Sequence, residues 1–368
     1  RSFVFEVPLN SGIPQYFNTD TDDPELTFRL LGGSRIYRMR LSKFFRDLDG
    51  DVSKDKIRQI DKRIKKPFIQ NNTKTKTITI RPGKWQIDEP IIFPKGYTIK
   101  AGAGVHLTLK KNSYILSRSP IQFIGSSDNP IKITSTGSGN GIMLIDIKES
   151  RSRLSHVNFN RISAPSIKSW KPTGALTIYE SPISIDNCLF LDINSEDSLN
   201  IIRSDFTMEN IIFSNSKSDA LDIDFSSGTI KSTYFNNIGN DAVDLSGSTV
   251  VLQGIEIESS KDKAISIGES STILANDISI SNSSIGVASK DLSKVYLDNV
   301  HIRGTDVGYA VFQKKSEFGP ASLYSSNSIM THVAKSYLLE EPSSLIVNGI
   351  PLSPNMQDIK SYIYRLDD

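Results

Sequence analysis

Apolar and polar residues alternate along most of the chain from Thr75 onward, in short runs separated by Gly, Pro, Asn and Ser. Strands of four to six residues with such turn residues between them are typical of an all-β chain. From Glu196 to Lys315 the pattern also repeats, and successive units begin about 22 residues apart. The units begin SEDSLNIIRS, KSDALDIDFS, GNDAVDLSGS, KDKAISIGES and SSIGVASKDL. A repeat of this length predicts a solenoid.

Equivalent apolar positions recur in every unit and indicate how the coils stack. One column contains Phe190, Phe213, Phe235, Ile257, Ile280 and Ile302, and a second contains Leu199, Leu221, Val243 and Ile265. In a solenoid each coil lies on the last at the β-sheet spacing of about 4.8 Å, so such residues meet. The pattern predicts a right-handed parallel β-helix with three short strands per coil. A further column, Asn187, Asn210, Asn276 and Asn299, predicts a buried asparagine ladder in a turn.

The regions outside the repeat predict end caps. Residues 1–74 are interpreted as an N-terminal flanking segment, residues 75–335 as the β-helix and residues 336–368 as a C-terminal cap. Within the first segment, Val52–Lys66 has isoleucines at helical spacing and predicts a short amphipathic helix over the open end of the solenoid. The last segment loses the period and contains three prolines, so it is expected to cover the final coil.

Alternation within each unit assigns the outward side chains. Leu221 and Ile223 belong to the apolar pattern, so Asp222 and Asp224 are expected to point outward. The aligned outward columns are Thr177, Asn200, Asp222, Asp244 and Ser266, and Tyr179, Ile202, Asp224, Ser246 and Gly268. The corner columns are Asp197, Asp219, Asp241 and Lys263 on one side, and Glu180, Arg203, Glu269 and Lys290 on the other, with Asp291, Lys314 and Lys315 nearby.

Stacking therefore predicts one acidic patch that spans two coils. It contains Asp219, Asp222, Asp224, Asp241 and Asp244. Carboxylates about 5 Å apart raise one another's pKa or require a cation between them. Three interpretations are open. The carboxylates could bind Ca²⁺ beside a basic residue that abstracts the C5 proton of a uronic acid. A pair of them could hydrolyse a glycosidic bond. Alternatively, they could cap turns in a non-catalytic polysaccharide-binding scaffold.

These interpretations assign roles to individual residues. The predicted catalytic residues are Lys290, Asp222, Asp244, Asp241 and Arg203, with Lys290 as the lyase base. The hydrolase pair would be Asp222 or Asp224 with Asp241 or Asp244. Predicted substrate contacts are Tyr179, Asn200, Lys263, Lys314 and Lys315, and predicted Ca²⁺ ligands are Asp219, Asp224 and Glu269. Trp85, Trp170, Tyr179 and Tyr309 are candidates either for sugar-stacking platforms or for aromatic packing within the coils.

Composition limits the classes of binding partner and the compartment, but it does not identify a ligand. Lys plus Arg total 43 against 41 Asp plus Glu, a net charge of +2, so no overall field favours nucleic acid or membrane. Cys188 is the single cysteine, which excludes an intrachain disulfide. No run approaches the roughly 18 apolar residues of a membrane span. A chain that begins at Arg1 is expected to be a processed form, and the protein is expected to be secreted or periplasmic.

Several of these units resemble a known group of proteins. YESPISIDNCLF, SDALDIDFSSGTI, GNDAVDLSGS and DKAISIGESS resemble β-helix modules of secreted bacterial proteins, some found near CotH-like or exopolysaccharide genes, and more broadly the pectate-lyase-like superfamily. The resemblance covers roughly residues 75–330. SKDLSKVYLDN is similar to the lysine-containing coil of β-helix alginate and chondroitin lyases, which implies Lys290 as base. The aspartates resemble those of polygalacturonase-type hydrolases without that family's NTD and GDD spacing. The resemblance implies an extracytoplasmic enzyme acting on an acidic polysaccharide, with lyase expected ahead of hydrolase.

Overall fold

The computed structural model describes residues 25–29, 36–40, 66–148, 150–167 and 171–364 of the chain. The chain forms two compact units, residues 1–59 and 60–368. In the first, strands β1 (Glu25–Arg29) and β2 (Ile36–Arg40) pair antiparallel. The predicted helix, apart from Lys66, and Trp170 lie outside the described residues.

The second unit is built from short strands in chain order. The first are β3 (Ile69–Asn72), β4 (Thr77–Ile80), β5 (Gly83–Ile87), β6 (Ile91–Phe93), β7 (Thr98–Gly102), β8 (Val105–Leu109), β9 (Ile115–Ser117), β10 (Ile121–Ile124), β11 (Ile131–Ser135), β12 (Ile142–Ile145), β13 (Ser152–Ser155), β14 (Val157–Asn160), β15 (Gly174–Tyr179), β16 (Ile183–Asp186) and β17 (Leu189–Leu191). There follow β18 (Asp197–Ile202), β19 (Asp205–Glu209), β20 (Ile212–Ser216), β21 (Asp219–Asp224), β22 (Ser227–Ile238), β23 (Val243–Ser246), β24 (Thr249–Ser260), β25 (Lys263–Gly268), β26 (Thr272–Ser281), β27 (Ile285–Lys290), β28 (Lys294–Arg303), β29 (Val307–Phe312), β30 (Ser322–Thr331), β31 (Lys335–Leu339), β32 (Ser344–Val347) and β33 (Ile350–Pro351), and helix α1 (Ile359–Tyr364).

These strands form two large sheets that wind around one core. Sheet A has 11 strands, in the order β31-β29-β27-β25-β23-β21-β18-β15-β12-β9-β6, and the remaining strands of this unit form the 20-stranded sheet B. Within both sheets the coil-to-coil pairs are parallel, while β3–β4 and β32–β33 pair antiparallel at the two ends of sheet B. The prediction of a right-handed parallel β-helix is confirmed.

The apolar columns stack in the predicted register. Phe190 pairs with Phe213, Phe213 with Phe235, and the column continues through Ile257. The phenyl rings of Phe159, Phe190, Phe213 and Phe235 stack with successive centroid distances of 4.8, 4.7 and 5.0 Å. The second column, from Leu199 to Ile265, is likewise paired and buried. Burial of these columns inside the coils is the main stabilising contribution.

The asparagine ladder differs from the prediction. Near its middle, each long strand of sheet B turns at a left-handed residue: Ser232, Gly254, Asp277, Asn299 and Asn327. Asn276 lies one position before this column, because it pairs with Asp298. The four predicted asparagines are all exposed. Short polar residues are found here because they tolerate the left-handed backbone.

A buried serine column at the corner after sheet A connects the coils instead. It contains Ser181, Ser204, Ser226, Ser248 and Ser271. Each serine from Ser204 onward accepts a hydrogen bond at Oγ from the backbone N–H of the preceding serine, at 2.9–3.0 Å. The hydroxyls of the first four also donate to the carbonyl oxygen two residues earlier, at 2.8–2.9 Å. The column therefore satisfies backbone groups where the chain leaves the sheet.

The C-terminal segment covers a face of the solenoid. Parallel pairing continues through β31 and β32, past the predicted boundary at 335. The chain then returns across the outer surface of sheet A, where Ile359 of α1 packs in a cluster with Ala288, Ala310 and Phe312. Strands β25, β27 and β29 are consequently buried on both faces. The predicted cap over the final coil thus also lies against the face that carries the acidic columns.

Candidate functional site

The two outward columns of sheet A stack as the alternation predicts. Strand pairing aligns the members of each column in successive coils. The first column is Asn200, Asp222, Asp244 and Ser266, and the second is Ile202, Asp224, Ser246 and Gly268. We refer to Asp222, Asp224 and Asp244 as the central carboxylates. Each is half-buried on the outer face of the sheet. The fold therefore brings three of the five predicted aspartates into one cluster.

Lys290 belongs to this cluster, although its predicted column was wrong. Pairing of Ile267 with Ser289 aligns Lys290 with Gly268, so Asp291 occupies the corner position that we assigned to Lys290. The lysine side chain lies over Gly268, where an added Cβ would be 3.5 Å from Lys290 Cε. Its Nζ donates to Ser266 Oγ at 2.8 Å and lies 4.0 Å from Asp244 Oδ1. Because Gly268 has no side chain, Lys290 can extend across it to Ser266 in the preceding coil and towards Asp244 in the coil before that.

The protonation of the cluster follows from burial and crowding. Burial, followed by the charge of Asp224, raises the pKa of Asp222 far above its ordinary value. Burial, followed by the charge of Asp244, raises the pKa of Asp224 to about 6. Burial alone would lower the pKa of Lys290, but Asp244 and Asp241 outweigh it and raise the pKa. At neutral pH the site therefore holds a protonated Asp222 beside a Lys290 ammonium.

Asn200 supports Asp222 from the preceding coil. Its Nδ2 donates to Asp222 Oδ2 at 2.7 Å and to Asp197 Oδ2 at 3.2 Å. Its Oδ1 is buried without a hydrogen-bond partner. An unpaired buried carbonyl oxygen is costly, and a protonated carboxyl group is one donor that could satisfy it. Asn200, predicted as a substrate contact, is therefore placed to orient Asp222.

The first corner column, Asp197, Asp219, Asp241 and Lys263, connects coils and is largely closed to solvent. Asp219 Oδ1 accepts from the backbone N–H of Asp241 at 2.8 Å, and Asp241 Oδ1 accepts from that of Lys263 at 2.9 Å. Asp241 Oδ1 also lies 3.5 Å from Lys263 Nζ, and both side chains are at most 5% exposed. Asp241 was predicted as a catalytic residue and Lys263 as a substrate contact. Because both side chains are buried, neither can contact a substrate in this conformation.

The second corner column contains Asp146, Glu180, Arg203, Phe225, Gly247, Glu269 and Asp291, all with left-handed backbone. Arg203 Nη1 lies 3.6 Å from Glu180 Oε1 and donates to Tyr179 Oη at 3.5 Å. Lys315 Nζ contacts the carboxylate of Glu269. The backbone N–H groups of Lys314 and Lys315 both donate to buried Asp291 Oδ1 at 2.7 Å. This column places Arg203, Tyr179 and Lys315 along one border of the central carboxylates.

The three predicted Ca²⁺ ligands do not converge. Asp219 and Asp224 are the two ends of strand β21, which are roughly 16 Å apart at about 3.3 Å per residue. Glu269 is two coils beyond Asp224 and is paired with Lys315. Within the part of the chain that the structure describes, no group of three or more His, Cys, Asp or Glu side chains could hold a metal ion. These residues do not fit a calcium site, since their strand positions separate them.

The aromatic candidates are mostly packing residues. Tyr309 is fully buried and its hydroxyl lies 2.9 and 2.7 Å from Ser325 Oγ and Ser328 Oγ. Trp85 stacks on Phe68 at 5.3 Å and donates to Arg81 O near the start of the solenoid. Tyr309 therefore has no open face for a sugar, and the partly exposed Trp85 lies on sheet B in an early coil, away from the central carboxylates. Tyr179 alone remains in an outward column of the site.

Sequence reasoning missed Phe225, which is the aromatic side chain nearest in sequence to the central carboxylates. It follows Asp224 directly and is 57% exposed. Its ring lies on Gly247 in the next coil, where an added Cβ would be 2.6 Å from Phe225 Cδ1. The sequence did contain a signal for this exposed ring: Phe225 lies one repeat period before Gly247, whose missing side chain leaves room for the ring.

Tyr364, at the end of α1, closes the site on the side of the later coils. Its ring centroid is 4.3 Å from Lys314 Nζ and 5.1 Å from Lys263 Nζ. Its hydroxyl oxygen is buried without a hydrogen-bond partner. The helix therefore packs over Lys263 and Lys290, while the central carboxylates stay partly open.

No family model matches the chain, and no curated protein matches it. Solved structures with a similar fold include the catalytic domain of a GH87 alpha-1,3-glucanase in complex with nigerose, with TM-score 0.42 and 11% identity over 74% of this chain. They also include the periplasmic alginate epimerase AlgG, with TM-score 0.44 and 12% identity over 77% of this chain and 80% of that one. A third is the GH87 alpha-1,3-glucanase catalytic unit of Streptomyces thermodiastaticus strain HF3-3, with TM-score 0.42 and 12% identity over 77% of this chain. The chain spans 63% of each glucanase.

Fold and site together define the class of molecule. The chain is a right-handed parallel β-helix with a three-carboxylate cluster on the outer face of one sheet. Among the described residues, no helix is long and apolar enough to cross a membrane.

Proposed function

We propose that this protein is an extracytoplasmic glycoside hydrolase that acts on an acidic polysaccharide through Asp222 and Asp244. The observation that carries the proposal is the contrast between these paired neighbours. Burial and Asp224 keep Asp222 protonated, whereas Asp244 lies beside the Lys290 ammonium with a side chain that is 30% exposed. A carboxyl group that keeps its proton, paired with a second carboxyl group on the same face of the sheet, supplies the two groups that glycosidic bond hydrolysis requires.

The chemistry assigns one role to each residue. The Asp222 carboxyl donates its proton to the glycosidic oxygen as the bond to the anomeric carbon breaks. The Asp244 carboxylate takes up the complementary role of base or nucleophile, so that water finally supplies the hydroxyl of the new reducing end. Asn200 orients Asp222, and the Lys290 amine lies 4.0 Å from Asp244 Oδ1.

Hydrolysis is proposed ahead of elimination because of Lys290. A lyase base must accept the C5 proton, but the carboxylates around Lys290 keep its amine protonated. The amine also donates to Ser266 and lies beneath the C-terminal helix. No calcium step is proposed, since the predicted ligands lie too far apart.

Basic side chains that lie along the second corner column favour an acidic substrate. Asp146 in this column is surrounded by three cations: Lys95, Arg118 with Nη2 at 3.1 Å, and Lys148 with Nζ at 3.4 Å. Two of these cations, Lys95 and Arg118, share the same carboxylate oxygen of Asp146. Arg203 and Tyr179 lie between this group and the central carboxylates. A sugar carboxylate would gain favourable contacts along this border.

The test compares Asp222→Asn and Asp244→Asn with the exposed control Asp128→Asn on a panel of soluble uronate-containing polysaccharides. We expect new reducing ends without ultraviolet absorbance of an unsaturated uronate, and a loss of about 100-fold or more in each site variant. The control should retain full activity. Absorbance of an unsaturated uronate together with the new reducing ends would establish elimination, while binding without any cleavage would establish the scaffold role.

A further inference from the structure

A groove on sheet B lies outside the proposed active site. It is about 610 Å³ in volume and is lined by the first halves of β24, β26, β28 and β30, together with the turn of the β32–β33 hairpin. The corner after sheet A separates these half-strands from the carboxylate columns. Volumes of this size are typical of ligand sites.

The floor of the groove is an exposed apolar column. Val251, Leu274, Tyr296 and Tyr324 are paired across four successive coils and are 37–53% exposed. The rings of Tyr296 and Tyr324 stack at 5.2 Å with an interplanar angle of 9°. Such a row offers a continuous flat surface, roughly 14 Å long over three coil steps. Exposed apolar surface in this arrangement marks an interaction site.

Polar columns flank this floor on both sides. Two residues further along each strand lie Gln253, Asn276, Asp298 and Ser326, and two residues earlier lie Thr249, Thr272, Lys294 and Ser322. Amides and hydroxyls can both donate and accept hydrogen bonds. An aromatic strip between two rows of such groups matches a pyranose ring, which presents an apolar face and hydroxyls around its edge.

Charge decides which kind of glycan fits. Of the described residues that line the groove, Asp298 is the one Asp, Glu, Lys, Arg or His. Its carboxylate already accepts from Ser326 Oγ at 2.7 Å and from Asn327 Nδ2 at 2.8 Å. Lys294 lies in the flanking row on the opposite side of the floor, so these two charges have opposite signs and give the groove no excess of positive charge for a polyanion. The groove therefore suits an uncharged ligand, in contrast to the site on sheet A.

We propose that this groove is a second, non-catalytic glycan site that binds a neutral polysaccharide chain running along the solenoid axis. It would hold the protein on an uncharged polymer while the carboxylates of sheet A act on an acidic one. The two sites share no residue, so the groove is independent of the proposed catalysis.

The experiment is native electrophoresis of the full chain in gels that contain dextran, hydroxyethyl cellulose, mixed-linkage β-glucan or galactomannan, with polygalacturonate for comparison. We expect at least one neutral polymer to retard the protein. The double variant Tyr296→Ala/Tyr324→Ala should bind that polymer about tenfold more weakly or not at all. The control Tyr234→Ala, whose tyrosine lies outside the groove with its hydroxyl on Glu258, should bind normally.

Further measurements separate the alternatives. Circular dichroism and melting temperature verify that both variants are folded, which is expected because the two tyrosines are exposed. Asp222→Asn should retain the retardation, since it alters only the site on sheet A. The proposal is overturned if none of the neutral polymers retards the protein, or if retardation survives the double variant. It is also overturned if light scattering shows a dimer that the double variant dissociates, because the groove would then bind a second copy of the chain.

Discussion

At the residue scale, the outcome at each candidate position depends on what covers it. Asp222 and Asp241 lie in neighbouring coils and both face away from the core, yet one is half-open and the other is closed under Lys263. Their types and spacing could be read from the repeat. Their access to a ligand could not, because it depends on the helix and loop that pack over sheet A.

Phe225 provides a residue-scale prediction. Phe225→Ala should raise KM for the cleaved polysaccharide about 2- to 10-fold with little change in kcat, because an exposed ring beside Asp224 would stack on a sugar without touching the reacting atoms. Alanine keeps the Cβ, so the left-handed backbone is equally strained in both proteins. Steady-state kinetics check this, with Tyr234→Ala as control. A change confined to kcat would contradict a binding role.

At the element scale, each strand is stabilised mainly by the equivalent strand of the next coil. The phenyl stack from Phe159 to Phe235 is continuous within the core. At the corner after sheet A, the serine column links successive coils through hydrogen bonds from backbone N–H groups to serine Oγ atoms. The apolar column was predictable from its period. The serine column was not recognised, since serine is common in exposed turns as well.

The phenyl stack predicts a large difference between adjacent residues of β20. Phe213→Ala should lower the free energy of unfolding by about 3–5 kcal/mol, because it leaves a cavity between two rings. Ile212→Ala, which removes a side chain that is 45% exposed, should change it by less than about 0.5 kcal/mol. Urea unfolding measures both. Equal effects would mean that the stack does not stabilise the solenoid.

At the scale of the whole molecule, the solenoid concentrates acidic groups on sheet A, and this affects stability. Burial raises the pKa of Asp197, Asp219 and Asp224 to about 6, whereas the unfolded value is about 3.9. Between these two values the folded state retains protons that the unfolded state has released. The free energy of unfolding therefore falls as the pH rises from about 4 to about 6.

This sign gives a measurable prediction. The melting temperature should be higher at pH 4.5 than at pH 7, by a few °C. Asp219→Asn should reduce the difference, because an amide keeps the accepting oxygen for the N–H of Asp241 and has no charge to bury. Asp128→Asn, at an exposed position, should leave it unchanged. Differential scanning fluorimetry tests this, and a melting temperature that rises between pH 4.5 and pH 7 would refute it.

The sequence by itself determined the coil, the register of the apolar columns and the inward or outward direction of the strand side chains in the repeat. Those properties are periodic, because a strand alternates every two residues and a coil stacks on its equivalent every 22 or so. Tertiary structure decided which outward residues form a site. The C-terminal helix buries Lys290 and Lys263, the strand length separates the three predicted calcium ligands, and the bend of sheet B opens a groove at Tyr296 and Tyr324. The first outcome depends on a segment that lacks the period, and the other two depend on the length and path of the strands in three dimensions, which the period alone does not specify.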